Sequence, residues 1–320
     1  MTTPLKASVC IPTYNRRERV LAALRALDRQ TIERDRFEVI VIIDGSTDGT
    51  EGALASFTPS YAFRWAAQSN AGSSAARNSA ARLAQHEVII FLDDDHIPVP
   101  GLVAAHLQEQ QRSGDIIVQG SYPLAPGYDR LGAALAYELA RTRTLPATHR
   151  PDAARWMLWA GNFSIRTETW KRVGGFDETF RTWGSEDTDF GLRLAALSIP
   201  LVVSEAAITQ HQMHVGYGAF RRQSYSAGRA VVRLSRKHGR PLNELSPDET
   251  SGWLSSVLTR SWRASPTATD AAGRLFSVGL WLADRAGARP LQLAFARMVR
   301  RIYKVGGITQ EVAPRVGEAQ

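Results

Sequence analysis

The stretch EVIIFLDDDHIPVPG, Glu87 to Gly101, is an apolar run that ends on three adjacent aspartates, a histidine and two prolines. Val88 to Leu92 carry no polar side chain, so the run suits a strand covered on both faces, as strands of a parallel sheet are. Bare carboxylates this close repel one another, so either a cation neutralises them or they face water. A divalent cation and a solvated acidic loop are the two readings open at this point.

The same pattern recurs along the first half of the chain. ASVCIP is followed by a helical pattern from Arg17 to Gln30, FEVIVII by one from Thr47 to Ser56, YAFRWA by one from Ser73 to Gln85, and EVIIFL by one from Gly101 to Arg112. Strands alternating with helices predict βαβ units and an α/β fold, a mostly parallel sheet flanked by helices. Ligands of such sheets gather at the C-terminal ends of the strands. The polar segments PTYNR, DGSTDGT and DDDH lie at those ends.

Beyond Ile116 the pattern is mixed: IIVQGSY, a helical stretch from Leu131 to Arg143, the strand candidate WMLWAGNFSIR, then helices from Thr167 to Val173 and Ser185 to Leu197. After His214 periodicity predicts helices only, Ala219 to His238, Thr250 to Arg263, Ala271 to Ala286 and Leu291 to Lys304, with GRPLNELSPDET as the linker candidate. The expected division is one domain over 1–214, in two halves (1–115 and 116–214), and a basic helical region over 215–320.

The 320 residues hold ample apolar content for a core, and Cys10 is the only cysteine, so no intrachain disulfide exists and a reducing compartment is expected. The N-terminus has no basic start followed by a long apolar run, and no stretch reaches the ~18 residues needed to span a bilayer. The expected location is cytoplasmic, or peripheral at the inner face of the membrane. The net charge of +8 is unevenly spread: from Val215 onward there are 17 Lys and Arg against 7 Asp and Glu. Such a block suits either an anionic surface or a solvated helix face. In LQLAFARMVRRIYKVGG, residues 291–307, Leu291, Phe295, Met298, Val299 and Ile302 share a helical face near Arg297, Arg300, Arg301 and Lys304. That face predicts either an anionic membrane contact or packing within the protein. No nucleic-acid partner is expected.

Each motif has a chemical and a structural reading. Asp44 of DGSTDGT follows a strand and can accept from a nucleobase or ribose, but an Asp-Gly turn with a Ser/Thr helix start is also common. In QSNAGSSAARN, Gly72 and the serines permit close backbone approach, and Arg77 could meet a diphosphate or be a surface arginine. Asp93 and Asp95 flank Asp94 as Asp-x-Asp, offering the oxygen ligands that Mg2+ or Mn2+ prefers. In GGFDETFRTWGSEDTDFGLRLA, Phe176, Phe180 and Trp183 surround a loop, and Glu186 and Asp187 open a helix. There the carboxylates either complement the helix dipole or deprotonate a sugar hydroxyl. HQMHVG adds His211 and His214, which without cysteines make no zinc site by themselves.

Taken in order, SVCIPTYNR, DGSTDGT, NAGSSAARN, FLDDDH and WGSEDTDFGLRL resemble the inverting, metal-dependent family 2 glycosyltransferases of GT-A fold, over roughly Ala7 to His214. The resemblance implies a hexosyltransferase that moves a sugar from a nucleotide-diphosphate sugar, with UDP-sugars the first expectation. The acceptor would be a hydroxyl on a saccharide, a lipid-linked molecule or another molecule. By it, Pro12, Tyr14, Arg16, Asp44, Arg77, Asp93 and Asp94 border the donor, while Asp95, Asp93 and His211 hold Mn2+ or Mg2+. Asp187 is the base, with Glu186 beside it and Trp183 with Glu186 on the acceptor side. Many relatives carry two aspartates before Gly-Ser; Ile43 stands at the first position here. The competing expectations are a nucleotidyltransferase, against which PTYNRRERV offers no glycine for a triphosphate loop, and a non-catalytic nucleotide-sugar-binding protein.

Overall fold

The computed structural model describes residues 4–144, 158–181 and 184–313. Eight strands occur among them: β1 (Ala7–Thr13), β2 (Phe37–Asp44), β3 (Ala62–Gln68), β4 (Val88–Leu92), β5 (His96–Pro98), β6 (Ile117–Ser121), β7 (Asn162–Arg166) and β8 (Leu201–His211). They form one sheet in the order β3-β2-β1-β4-β7-β6-β8-β5. The four strands at one end, β3 to β4, run parallel, whereas β7 is antiparallel to both β4 and β6, and β5 is antiparallel to β8. The α/β expectation holds, and the sheet is mixed rather than parallel throughout.

The helices packed with the sheet are α1 (Arg17–Leu27), α2 (Thr50–Ala55), α3 (Ser73–Leu83), α4 (Leu102–Ser113), α6 (Thr167–Val173) and α7 (Glu186–Ala196), whereas α5 (Gly132–Thr144) contributes Ala133 and Ala136 to a different core. Alternation along the buried strands decides which helix each residue meets. Val9, Ile11, Val39, Val41, Ile43, Ile90 and Leu92 join Leu24 and Leu27 of α1 and Leu102 and Val103 of α4 in one core. Their neighbours Cys10, Ile40, Ile42, Ile89 and Phe91 face the other way, onto Ala76 and Ala80 of α3, Trp170 of α6 and Phe190 of α7. Phe91 stacks on Phe163 at 4.9 Å and Phe176 on Phe190 at 4.4 Å. Strands sealed on both faces leave their C-terminal ends as the place where polar groups reach solvent.

The chain divides into two compact units. The sheet and its helices form one, over residues 1–125, 141–181 and 186–213. The other combines 126–140, 182–185 and 214–320. It contains α8 (Tyr217–His238), the short helices α9 (Leu242–Leu245) and α10 (Pro247–Thr250), α11 (Trp253–Ala264), α12 (Pro266–Ala286) and α13 (Arg289–Val312). The predicted linker is thus two one-turn helices, with Ser246 between them donating its hydroxyl to Glu249 Oε2 at 2.7 Å.

Within this unit α8 and α13 cross with their backbones in contact. A Cβ at Gly228 would collide with the Lys304 carbonyl, and one at Gly307 with the Tyr225 carbonyl. Of the two readings of the 291–304 face, this unit's core supports packing within the protein. Val299 and Ile302 lie in the unit's own core with Ala296, Phe220 and Leu280. Lys304 is buried in an ion pair with Glu249 at 3.0 Å, and Arg301 donates to Ser255 Oγ at 3.0 Å. Phe295 and Met298 pack against the same core while Leu291 stays exposed, so most of the apolar side of the 291–304 helix packs within the unit, and Arg301 and Lys304 have protein partners. No helix among the described residues is long and apolar enough to cross a membrane.

Candidate active site

Four loops meet at the C-terminal ends of β1, β2 and β4, and hydrogen bonds fix them to one another. After β1, Asn15 takes a left-handed backbone (φ 51°), donates its N–H to Ser46 Oγ and accepts from the Thr47 N–H. After β2, the buried Asp44 carboxylate accepts from Gln68 Nε2, the Ala71 N–H and the Gly72 N–H, all at 2.8–2.9 Å. An ionised carboxylate accepts about four bonds, so Asp44 anchors the loop into α3 and retains an acceptor. Pro12 closes the apolar part of β1, and Tyr14 projects half-exposed beside Asn15.

The three aspartates after β4 point in different directions. Asp93 Oδ1 accepts from Arg77 Nη2 at 2.7 Å. Asp94 is buried, accepting from Thr13 Oγ1 and Arg16 Nη1, each at 2.8 Å. Burial pushes its pKa up to about 6 despite the Arg16 charge. Asp95 presents Oδ2 to Arg16 at 3.0 Å and Arg19 at 3.4 Å, while Oδ1 faces two imidazoles, His211 Nε2 at 3.8 Å and His96 Nε2 at 4.0 Å. Desolvation opposes ionisation of Asp95, but the neighbouring His211 and His96 imidazoles and the Arg16 charge hold its carboxyl well below the usual range.

The imidazoles meet because β5 and β8 pair antiparallel with His96 directly opposite His211. Their rings stand 4.6 Å apart. Asp95, His96 and His211 each offer a ligand atom, all within 4.8 Å of one another. Two ligands about 2.1 Å from one ion lie roughly 3–4 Å apart, and Asp95 Oδ1 stands at that separation from both Nε2 atoms, 3.8 Å and 4.0 Å. Gly161 packs directly against this group: a Cβ there would stand 2.7 Å from His96 Cε1, 2.9 Å from His96 Nε2 and 3.1 Å from Asp93 Oδ2. Asp93 thus borders the cradle with Oδ2 and stands outside its tightest group. Gly161→Ala is expected to weaken Mn2+ binding by roughly 10- to 100-fold, the usual cost of disturbing ligand support. Calorimetric titration of the folded variant measures the loss.

Arg77 joins this edge to the start of α7. It is buried, its guanidinium pairing with Asp93 on one side and with Glu186 Oε1 at 3.5 Å on the other. The Phe176 ring lies 5.5 Å below it. Asp187, next along α7, accepts from the Thr188 N–H through Oδ1 at 2.7 Å. Burial, and then the neighbouring Glu186 charge, push its carboxyl up to about 7. One carboxylate beside the loop edge is therefore set to exchange a proton near neutral pH.

The fold gathers Arg16, Arg77, Asp93, Asp94, Asp95, Glu186 and His211 through direct contacts, with Asp187 next to Glu186 in α7. Trp183 lies outside the described residues, and His214 is exposed in the segment after β8. His96 was not singled out from the sequence, although it directly follows the aspartates; its pairing with His211 depends on a three-residue strand. Gly161 was likewise missed, hidden in a segment legible only as a strand.

The sequence model of glycosyl transferase family 2 matches residues 8–168. A second, described as the N-terminal domain of galactosyltransferase, matches 144–215. A validoxylamine A glucosyltransferase of Streptomyces hygroscopicus subsp. jinggangensis is 30% identical over 306 residues, covering 83% of this chain and 69% of its own length. Among solved structures, a mannosyltransferase of Pyrobaculum calidifontis in complex with GDP-Man and Mn2+ superposes with a TM-score of 0.63 at 18% identity, covering 94% of this chain and 88% of the other. TarS 1-349 of S. aureus in complex with UDP gives 0.52 at 19% identity, covering 94% and 90%.

Proposed function

The chain belongs to glycosyl transferase family 2 and is a glycosyltransferase, and from that premise we propose that it moves a sugar from a nucleoside-diphosphate sugar to an acceptor hydroxyl with inversion. Residues 1–115 carry the donor side and 116–214 the acceptor side. The observation that carries this reading is Arg77, whose buried guanidinium holds Asp93 of the donor edge and Glu186 beside Asp187. Two carboxylate motifs about ninety residues apart in the chain thereby belong to one site.

Pro12, Tyr14 and Asp44 border the nucleotide, with Asp44 keeping an acceptor for a base N–H. Arg16 and Arg77 add positive charge toward the diphosphate. Asp95 and His211 hold the divalent cation, which when bound stabilises the negative charge on the departing nucleoside diphosphate. Asp187 removes the acceptor proton as the hydroxyl attacks the anomeric carbon from the face opposite the leaving group, and Glu186 sets its basicity. Trp183 is assigned to the acceptor side.

The base must be ionised to act. With its carboxyl pushed up to about 7, kcat/KM is expected to rise between pH 6 and pH 8 and level off above. Glu186→Gln removes the neighbouring negative charge that helps raise it, so the acid limb should move to lower pH. Activity unchanged across this range would remove Asp187 from the proton transfer.

A screen of UDP-, GDP- and dTDP-sugars, read as released nucleoside diphosphate, tests the reaction class. UDP-sugars are the first expectation, because a structural neighbour binds UDP; GDP-sugars come second, because another binds GDP-Man. Release of pyrophosphate from a nucleoside triphosphate and a sugar phosphate would instead identify a nucleotidyltransferase. Binding without turnover would leave a nucleotide-sugar-binding protein.

A further inference from the structure

We infer that His96 is a direct ligand of the catalytic cation alongside Asp95 and His211, and that it makes the site select Mn2+ over Mg2+. The inference rests on the metal-dependent transfer proposed above and concerns which residues and which ion serve it.

His96 is buried, and Thr209 holds its Nδ1 at 3.0 Å through Oγ1. If Thr209 Oγ1 accepts the Nδ1 proton, the Nε2 lone pair is left for the cradle. That arrangement is how ligand histidines are commonly oriented, with the second ring nitrogen hydrogen-bonded to a protein oxygen. Nε2 lies 4.0 Å from Asp95 Oδ1, too far for a hydrogen bond and suited to two ligands of one ion. The same nitrogen is among the atoms that a Cβ at Gly161 would meet. Cross-strand pairing with His211 fixes both rings on the same side of β5 and β8.

Two imidazole nitrogens and one carboxylate oxygen make a mixed donor set. Mg2+ demands oxygen ligands and gives up its waters reluctantly. Mn2+ shares the taste for carboxylate, and the divalent transition series accepts imidazole. A site in which nitrogen supplies two of three protein ligands therefore disfavours Mg2+.

The test uses the full chain freed of metal with EDTA. Electron spin-echo modulation of bound Mn2+ counts coordinated imidazole nitrogens, and calorimetry compares Mn2+ with Mg2+ in the absence of donor. The unmodified chain should show two imidazoles and bind Mn2+ at least ~10-fold more tightly than Mg2+, as a support-shell change alone can be worth that much. His96→Gln should show one imidazole and lose most of that preference, and Thr209→Val should weaken Mn2+ without removing an imidazole. One imidazole in the unmodified chain, a measurement that requires no variant, overturns the assignment of His96 while leaving the metal-dependent reaction standing. Mn2+ that fails to bind with or without nucleoside diphosphate overturns both.

Discussion

Replacing Asp187 by Asn is expected to cut sugar transfer by roughly 10²- to 10⁴-fold, the usual contribution of a general base, while donor affinity stays within about twofold. Asn keeps the oxygen that accepts the Thr188 N–H at 2.7 Å, so the first turn of α7 retains its geometry. What it loses is the ability to take a proton. Single-turnover transfer measures the first quantity, and titration with nucleoside diphosphate the second. Equal losses in both would move Asp187 to the donor pocket.

The same variant has a stability signature. The folded pKa of about 7 lies above the ordinary value of 3.8, so the native state binds this proton more tightly than the unfolded chain does. Stability from this group is complete below pH ~4 and falls as pH rises toward 7. Asn has no such titration. The drop in melting temperature between pH 5 and pH 8 should therefore be smaller in Asp187→Asn than in the parent.

Asp95→Ala is the second large effect. One Asp95 oxygen faces His96 and His211, and the other takes Arg16 and Arg19, so the substitution removes a cation ligand and loosens two arginines at once. Loss of several kcal/mol of leaving-group stabilisation corresponds to a fall on the order of 10³-fold in turnover. Excess Mn2+ should restore little of it. Full activity of the parent in EDTA, or of the variant under any condition, would eliminate the cation from the reaction.

Much of this site was legible before any coordinates. The runs VIIFL and FEVIVII fixed two buried strands, and their shared polar endings fixed the working edge, because periodicity and strand-end chemistry are local properties. The helices of the first half follow for the same reason. Arg77 shows where local reasoning stops. Its position one turn into α3 suggested an anionic ligand, yet it is buried between Asp93 and Glu186, a bridge created by packing α3 against α7. The 291–304 helix shows the complementary limit, since amphipathic periodicity marks a face to be covered and is silent on the cover. His96 was invisible for a third reason: its partner is set by pairing between segments over a hundred residues apart in the chain.

The crossing of α8 and α13 at Gly228 and Gly307 bears on how the chain is born. The helical unit's core also draws Ala133 and Ala136 of α5 onto Ala296 and Val299 of α13, so residues made early wait for residues made much later. During synthesis, at about 5–20 residues per second, the sheet can close once β8 has cleared the ribosome. The helical unit lacks its central strut until α13 has emerged as well. A stop codon placed between α12 and α13 should thus yield a polypeptide whose α8 shows bare glycine backbone and apolar side chains to the cell's chaperones.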